Sequence, residues 1–119
     1  MKHILLIEDN IMNSELIIDI LEIENYSVSA AADGKSALDI LKKESFDLIL
    51  TDINLPKMDG LELVRRIREE TDQKAKVIAM SSDVETKDGK QFTEVGFDGF
   101  IQKPFKIKEF RDYIKSLLG

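Results

Sequence analysis

Short, almost continuously apolar runs alternate along this chain with longer amphipathic segments, and this alternation constrains the fold more than any other feature. Five runs predict strands, at residues His3–Ile7, 26–30, 47–51, 76–80 and Gly99–Gln102. The first, third and fourth runs are apolar on both faces, which is typical of strands inside a parallel sheet that is covered on both sides. The second run is more polar and predicts an edge strand.

Helical periodicity fills the segments between and after these runs. The predicted helices span residues 12–24, residues 35–43, a segment opened by Asp59-Gly60, residues 84–95, and a C-terminal segment that starts near Ile107. The apolar stripe of the first helix includes Leu16 and Ile17, and that of the last includes Ile107 and Phe110, at the spacing of one helix face. The fourth helix contains Gly89 among other poor helix formers and is predicted to be short or frayed.

The chain length fits this alternation. A strand, a helix and two connections take roughly 24 residues, so five such units need roughly 120, and the chain has 119 residues. Strands that alternate with helices predict an α/β fold, with a parallel sheet, helices on both faces and right-handed crossovers. No length remains for a second domain, so we predict a single domain over residues 1–119.

Composition excludes several classes of function. With 17 basic and 23 acidic residues the formal net charge is −6, which disfavours direct binding to nucleic acid or to an anionic membrane. The chain has no cysteine and one histidine, His3. Thiolate metal sites, disulfides and mechanisms that need two histidines are therefore excluded. No apolar run reaches the ~18 residues of a membrane span and no signal peptide precedes the first strand, so we expect a cytoplasmic location.

Polar side chains follow four of the predicted strands at the points where the strands end. They are Glu8 and Asp9 after the first strand, Asp52 and Asn54 after the third, Ser81 after the fourth and Lys103 after the fifth. Each one alone has an ordinary explanation as a loop, cap, turn or solvated residue. Because sites in open α/β sheets form at the carboxyl ends of the strands, their joint placement predicts a functional site at that edge.

Grouped carboxylates indicate what chemistry this edge supports. Two unit charges ~4 Å apart near a protein surface repel by ~4 kcal/mol at an effective dielectric of ~20, so the acids must bind a cation or take up a proton. A few hard oxygen ligands that are partly open to water suit Mg²⁺. Lys103 and Ser81 can meet phosphoryl oxygens, and Asp52 can act as a nucleophile that forms an aspartyl phosphate. No general base is evident, so we expect a reactive phosphoryl donor.

Four motifs in this order and spacing make the chain resemble a known family over its whole length. They are Leu6-Ile7-Glu8-Asp9-Asn10, Asp52-Ile53-Asn54-Leu55-Pro56-Lys57-Met58-Asp59-Gly60, Val77-Ile78-Ala79-Met80-Ser81 and Lys103-Pro104-Phe105. The chain resembles the receiver domain of two-component response regulators, the chemotaxis regulators among them. The resemblance implies a flavodoxin-like, doubly wound, five-stranded parallel sheet of order 2-1-3-4-5 that is flanked by five helices.

The resemblance also implies the roles of the acidic residues. Asp52 would accept a phosphoryl group from a phosphohistidine on a sensor histidine kinase or a histidine phosphotransfer protein. Asp9, Asp52 and the main-chain carbonyl of Asn54 would hold Mg²⁺, and Glu8 would act through a metal-bound water. The Lys103–Pro104 peptide bond is typically cis in this family.

The resemblance further implies a switch. Ser81 and Lys103 would bind phosphoryl oxygens, and Ser81 would move toward the phosphate while Phe100 turns inward. This would alter the surface of the fourth helix, fifth strand and fifth helix, where a downstream protein binds. Ser81 and Phe100 stand where Thr and Tyr are commoner in the family. Asn54 and Asp83 occupy positions that tune attack by water and hence dephosphorylation.

Several alternatives stay open at the level of sequence. The chain is expected to be a phosphoacceptor that assists its own phosphorylation and dephosphorylation, not an enzyme acting on other substrates. It is either a free-standing regulator or relay intermediate, or a receiver module from a longer response regulator or hybrid histidine kinase. The absence of a linker after the last predicted helix favours the first version. A monomer is expected, and dimerisation on phosphorylation stays open.

Two other functions fit the same fold class less well. Aspartate-nucleophile phosphatases use Asp-x-Asp, usually after the first strand, whereas here Asp52-Ile53-Asn54 follows the third and no length remains for a cap. A flavin-binding module would need small and hydroxyl residues after the first strand, where Glu8-Asp9 would repel the flavin phosphate.

Overall fold

Five parallel strands form one sheet in the part of the chain that the computed structural model describes, residues 1–81 and 96–118. The strands are β1 (His3–Ile7), β2 (Ser27–Ala31), β3 (Leu48–Asp52), β4 (Lys76–Ser81) and β5 (Gly99–Gln102). The helices are α1 (Ile11–Ile23), α2 (Gly34–Leu41), α3 (Gly60–Glu70) and α4 (Ile107–Leu118). This confirms the α/β fold class.

The strand order is β2-β1-β3-β4-β5, as the resemblance implied. The chain passes from β1 to β2 on one side of β1 and returns to place β3 on the other side, where Ile7 pairs with Thr51. The order of the strands therefore reverses between β1 and β3. In open α/β sheets this is the place where ligands bind, at the carboxyl ends of the strands.

Two apolar layers cover the faces of the sheet. Because side chains alternate along a strand, Ile4 and Leu6 of β1 face one layer and Leu5 and Ile7 face the other. The first layer includes residues of α1 and α4, and the second includes residues of α2 and α3. Burial on both faces explains why β1, β3 and β4 are almost continuously apolar.

Side-chain caps fix the start of three helices close to the edge that carries the chemistry. Asn10, Asp33 and Asp59 each accept a hydrogen bond from the backbone N–H three residues later. Such a cap satisfies one of the donors that a helix N-terminus leaves unpaired. Since α1 follows β1 after three residues, the cap at Asn10 holds the segment that carries Glu8 and Asp9.

The structure corrects two predicted core residues. Helical spacing places Leu16 and Ile107 in the apolar stripes of their helices, but the exposed fraction of each is 51%. The buried arc of α1 is narrower than the stripe and consists of Ile17, Ile20 and Leu21. The edge of an apolar stripe is therefore not settled by helical spacing alone.

Most predicted boundaries agree with the structure to within one or two residues. β2 begins at Ser27, one residue after the predicted start, and α2 ends at Leu41, two residues before the predicted end. The fourth predicted helix, at residues 84–95 and including Gly89, lies outside the described residues, and so does Asp83.

Candidate functional site

Three carboxylates converge where β1 and β3 end. Glu8, Asp9 and Asp52 each offer one oxygen, and these oxygens all lie within 4.8 Å of one another. Glu8 and Asp52 are buried, with 4% and 8% of their surface exposed, whereas Asp9 is exposed. The convergence follows from the topology, because neighbouring parallel strands bring their carboxyl ends to one edge.

Lys103 reaches this acid pocket, which we define as Glu8, Asp9 and Asp52, from the end of β5. Its Nζ lies 3.0 Å from Asp52 Oδ2 and 3.5 Å from Glu8 Oε2. The backbone N–H of Lys103 donates to the carbonyl of Ser81 over 2.7 Å, so the ends of β4 and β5 hold the lysine backbone. The Lys103–Pro104 bond is cis, as the resemblance implied.

Hydrogen bonds hold the backbone that follows Asp52. The N–H of Asn54 donates to Asp52 Oδ1 over 3.1 Å, and the N–H of Gly60 donates to the carbonyl of Ile53 over 2.7 Å. A Cβ at position 60 would lie 2.8 Å from the Cα of Ile53 and 3.1 Å from the carbonyl oxygen of Asp52. The Asp59-Gly60 pair therefore allows α3 to start directly against the backbone that carries Asp52.

The surroundings shift the pKa values of the two buried carboxylates, Glu8 and Asp52, in opposite directions. Burial raises the pKa of Glu8, and its contact with Asp52 raises the pKa further, against the opposing effects of Asn13 and Lys103. Burial also acts to raise the pKa of Asp52, but its contact with Glu8 and hydrogen bonds from the backbone amide of Asn54 and from Lys103 outweigh it and hold that pKa below its usual value. Of the two, Asp52 therefore keeps its negative charge to lower pH, and the carboxylate is the form that acts as a nucleophile.

The acid pocket fits a hard divalent cation. Glu8 Oε2 is buried and, among the described residues, has no hydrogen-bond partner. One carboxylate oxygen of Glu8 lies within 4.8 Å of oxygens of Asp9 and Asp52. A small set of carboxylate oxygens with one side open to water is the ligand set that Mg²⁺ prefers.

The remaining predicted site residues lie at different distances from this chemistry. Ser81 is the last residue of β4 and follows Met80, which pairs with Asp52 on β3. Only 3% of the surface of Ser81 is exposed. Phe100 lies within β5, is half-buried and packs against the layer that contains α2 and α3. Asn54 contributes its backbone N–H to Asp52, and its side chain is exposed.

Asn13 is a contact of the acid pocket that the sequence analysis did not single out. Its Nδ2 donates to Glu8 Oε1 over 3.2 Å. A signal was available, since Asn13 is the third residue of a helix that starts immediately after Glu8, Asp9 and Asn10. Which way its side chain points depends on how α1 sits on the sheet, which the sequence does not show.

An apolar groove adjoins the acid pocket. It has a volume of about 390 Å³, lies between α1 and the segment after β5, and is lined by Asn13, Leu16, Ile17, Lys103, Pro104, Phe105 and Ile107. In the first turn of α1, Ile11 and Met12 are 73% and 80% exposed. Lys103 lines the groove and contacts Asp52, so the groove lies beside the acid pocket. Exposed apolar residues of this size are typical of a contact surface.

None of the helices that the structure describes combines the length and the apolar character needed to cross a membrane.

Comparison with known proteins identifies the family. Residues 4–115 match the model of the response regulator receiver domain. The chain is 36% identical to regulatory protein VirG of Agrobacterium tumefaciens, covering 99% of this chain and 44% of VirG. It is 32% identical to the polar-differentiation response regulator DivK of Brucella anthropi, covering 99% of this chain and 97% of DivK.

A solved structure shows the same fold with a metal in it. The receiver domain of a sensor histidine kinase from Pseudomonas aeruginosa PAO1, with a magnesium ion coordinated in its active-site cleft, superposes with a TM-score of 0.86 at 30% identity and covers 99% of this chain and 98% of that chain. The chain thus spans less than half of one curated relative and nearly all of another. On its matched residues, its motifs and its strand order, the chain belongs to the response regulator receiver domains of two-component signalling.

Proposed function

We propose that this chain is a phosphoacceptor switch in which Asp52 takes a phosphoryl group from a phosphohistidine. The donor is a sensor histidine kinase or a histidine phosphotransfer protein. One observation carries the proposal: Asp52 is buried at the point where strand order reverses, beside two further carboxylates and 3.0 Å from the ammonium of Lys103. The chain modifies itself and is not an enzyme acting on other substrates.

The transfer is a displacement at phosphorus. A carboxylate oxygen of Asp52 bonds to phosphorus while the phosphorus–nitrogen bond of the phosphohistidine breaks. The imidazole leaves as a neutral ring if its other nitrogen already carries a proton. Phosphoryl transfer needs alignment and charge neutralisation more than covalent help, so a rigid, charged pocket is sufficient.

Asp9, Asp52 and the carbonyl of Asn54 would hold Mg²⁺, and Glu8 would act through a metal-bound water, as family resemblance implies. The ion supplies positive charge that offsets the carboxylates and the incoming phosphoryl oxygens. The ammonium of Lys103, 3.0 Å from Asp52 Oδ2, is within reach of a phosphoryl oxygen on that residue. The Ser81 hydroxyl, on the neighbouring strand end, is proposed to donate to another phosphoryl oxygen.

The phosphodonor is proposed to dock on the groove between α1 and the segment after β5. The groove is lined by Lys103, which contacts Asp52, and by Leu16, which is 51% exposed. α1 has acidic and no basic residues. We therefore expect the docked surface of the donor to be apolar with a basic rim.

The output is proposed to be a change at the surface around β5 and α4. Phe100 is half-buried in β5, three residues before Lys103, and packs against the layer that includes residues of α2 and α3. Movement of Ser81 toward a phosphoryl group, coupled to a turn of Phe100, would change this surface and its binding of a downstream protein. Asn54 and Asp83 are proposed to set the rate of hydrolysis.

The proposal is tested by intact-protein mass spectrometry after incubation with a small phosphodonor, acetyl phosphate, and Mg²⁺. The wild-type chain should gain the mass of one phosphoryl group. Asp52→Asn should gain none, and chelation of Mg²⁺ should suppress the gain in wild type. The matched control is Asp72→Asn, an exposed acid that precedes β4 at the opposite edge of the sheet and should label normally. Labelling of Asp52→Asn at the wild-type rate would place the acceptor elsewhere.

A further inference from the structure

The first turn of α1 makes two separate contacts through Asn13. Its backbone N–H donates to the capping oxygen Asn10 Oδ1 over 3.0 Å, and its side-chain Nδ2 donates to Glu8 Oε1 over 3.2 Å. In a capping box, the side chain at this third helical position returns to the backbone of the cap residue. Here it is turned to the acid pocket, and the cap is completed by Asn10 without it.

This contact divides the two oxygens of Glu8 between different neighbours. Oε1 is held by Asn13, whereas Oε2 lies 3.5 Å from the ammonium of Lys103 and is buried with no hydrogen-bond partner among the described residues. Glu8 is 4% exposed, so water at the surface does little to orient its carboxylate. A donor at a fixed place on a helix selects one of the rotamers open to a glutamate, which removes an ordering cost when a ligand binds.

We propose that Asn13 is a positioning residue: it holds Glu8 Oε1 against α1 and thereby aims Glu8 Oε2 into the acid pocket, which sets the affinity for Mg²⁺. This role rests on the assignment of the acid pocket to Mg²⁺ in the proposed function. Groups that orient a metal-binding carboxylate by hydrogen bonding change metal affinity by about 10- to 100-fold when removed, although they do not touch the ion.

The contact between Asn13 and Glu8 can be removed without disturbing the fold. Asn13→Ala removes the side-chain donor but keeps the backbone N–H that Asn10 caps, and alanine favours a helix. Asn13 is itself exposed, so the substitution leaves no cavity in the core. We therefore expect the metal-free variant to melt within a few degrees of the wild-type temperature.

The test is calorimetric titration of the unphosphorylated chain with Mg²⁺, with no phosphodonor present. Asn13→Ala should bind Mg²⁺ about tenfold more weakly than wild type. The matched control is Ile23→Ala, which changes an uncharged, 73% exposed residue at the other end of α1 and should bind as wild type does. An unchanged affinity for Asn13→Ala would overturn the proposal.

A double-mutant cycle tests whether Asn13 acts through Glu8. Once Glu8 is replaced in Glu8→Gln, the further change Asn13→Ala should weaken Mg²⁺ binding much less than it does in wild type. A glutamine that keeps its carbonyl against Asn13 presents an amide NH₂ in place of Oε2, so no oxygen remains there for Asn13 to aim. Equal losses in both backgrounds would overturn the positioning role and leave Asn13 as a general contributor to α1.

The Mg²⁺ titration and the acetyl phosphate labelling together distinguish a failure of this inference from a failure of the phosphoacceptor proposal. If wild type binds Mg²⁺ and Asn13→Ala binds equally well, only the role of Asn13 fails. If the predicted affinities are found but wild type accepts no phosphoryl group from acetyl phosphate, only the phosphoacceptor proposal fails. A wild-type chain that binds no Mg²⁺ overturns both.

Discussion

Among the three carboxylates of the acid pocket, Asp9 is the exposed one, while Glu8 and Asp52 are buried. Asp9 can therefore lose its charge without leaving a buried group unpaired. Without a cation, like charges within 4.8 Å of one another oppose folding. Functional sites commonly hold such unfavourable arrangements at the expense of stability.

We predict that Asp9→Asn raises the melting temperature of the metal-free protein. Relief of about 1 kcal/mol of repulsion corresponds to a rise of about 3 °C for a domain of this size. Differential scanning calorimetry in the presence of a chelator measures it, with Asp39→Asn, an exposed acid on α2, as the control for a general charge effect. An unchanged or lower melting temperature for Asp9→Asn alone would contradict the electrostatic account.

At the residue scale, the sequence predicted the polar residues at the strand ends but not their orientation. The structure groups Glu8, Asp9, Asp52 and Lys103 because each follows a strand of the same parallel sheet, and that much follows from the apolar runs. Their catalytic and metal-binding roles stay predictions. The contact of Asn13 with Glu8 depends on the rotation of α1 about its axis, which apolar spacing does not fix to that accuracy.

At the scale of elements, the start of α3 sets the position of Asp52. A Cβ at Gly60 would meet the backbone of Ile53 and Asp52, whereas a Cβ at Gly34, the first residue of α2, would meet the side chain of Met58, with Sδ at 2.7 Å. Backbone atoms are held by the sheet and its hydrogen bonds, but a methionine side chain has several rotamers. Alanine substitutions at Gly60 and Gly34 therefore compare a clash with backbone and a clash with a movable side chain, both at the first residue of a helix.

We predict that Gly60→Ala lowers the free energy of unfolding by about 1–3 kcal/mol, because α3 and the Asp52 backbone must move apart. The same variant should also bind Mg²⁺ more weakly. Gly34→Ala should stay within about 1 kcal/mol of wild type, since Met58 can move and alanine gains helix propensity. Urea unfolding measures both values. Equal effects of the two substitutions would show that the close approach at Gly60 does not position the site.

The exposed apolar side of α1 is part of the surface on which the phosphodonor is proposed to dock. We predict that Leu16→Glu slows transfer from a phosphorylated sensor histidine kinase at least tenfold, because a charge is placed in the proposed docking groove. Labelling by acetyl phosphate, which needs no docking surface, should be unchanged. Ile23→Glu places the same charge at the far end of α1 and is the control. Loss of both reactions in Leu16→Glu would indicate damage to the acid pocket and not to docking.

Element types were predictable because their periodicities differ. Runs apolar on both faces gave the buried strands, and three-to-four-residue spacing gave the helices. The width of a buried helix face was less predictable, because Leu16 and Ile107 lie at edges where the neighbouring element stops covering them. Both line the groove beside the acid pocket.

At the scale of the whole molecule, the strand order came from the resemblance to a family and is confirmed. Periodicity alone predicts a parallel sheet but does not decide which strand lies in the middle. The observed strand order places β1 beside β3 and hence Glu8 and Asp9 beside Asp52. The prediction of one domain over residues 1–119 stays a prediction.

The central claim is that Asp52 is the residue phosphorylated in a magnesium-dependent reaction. The most direct measurement is to label the chain with acetyl phosphate and Mg²⁺, reduce the acyl phosphate with borohydride, and map the product by peptide mass spectrometry. We predict homoserine at position 52 in the wild-type chain, and none when Mg²⁺ is chelated before labelling. Homoserine at position 9 or another aspartate, or labelling at position 52 that is independent of Mg²⁺, would contradict the account.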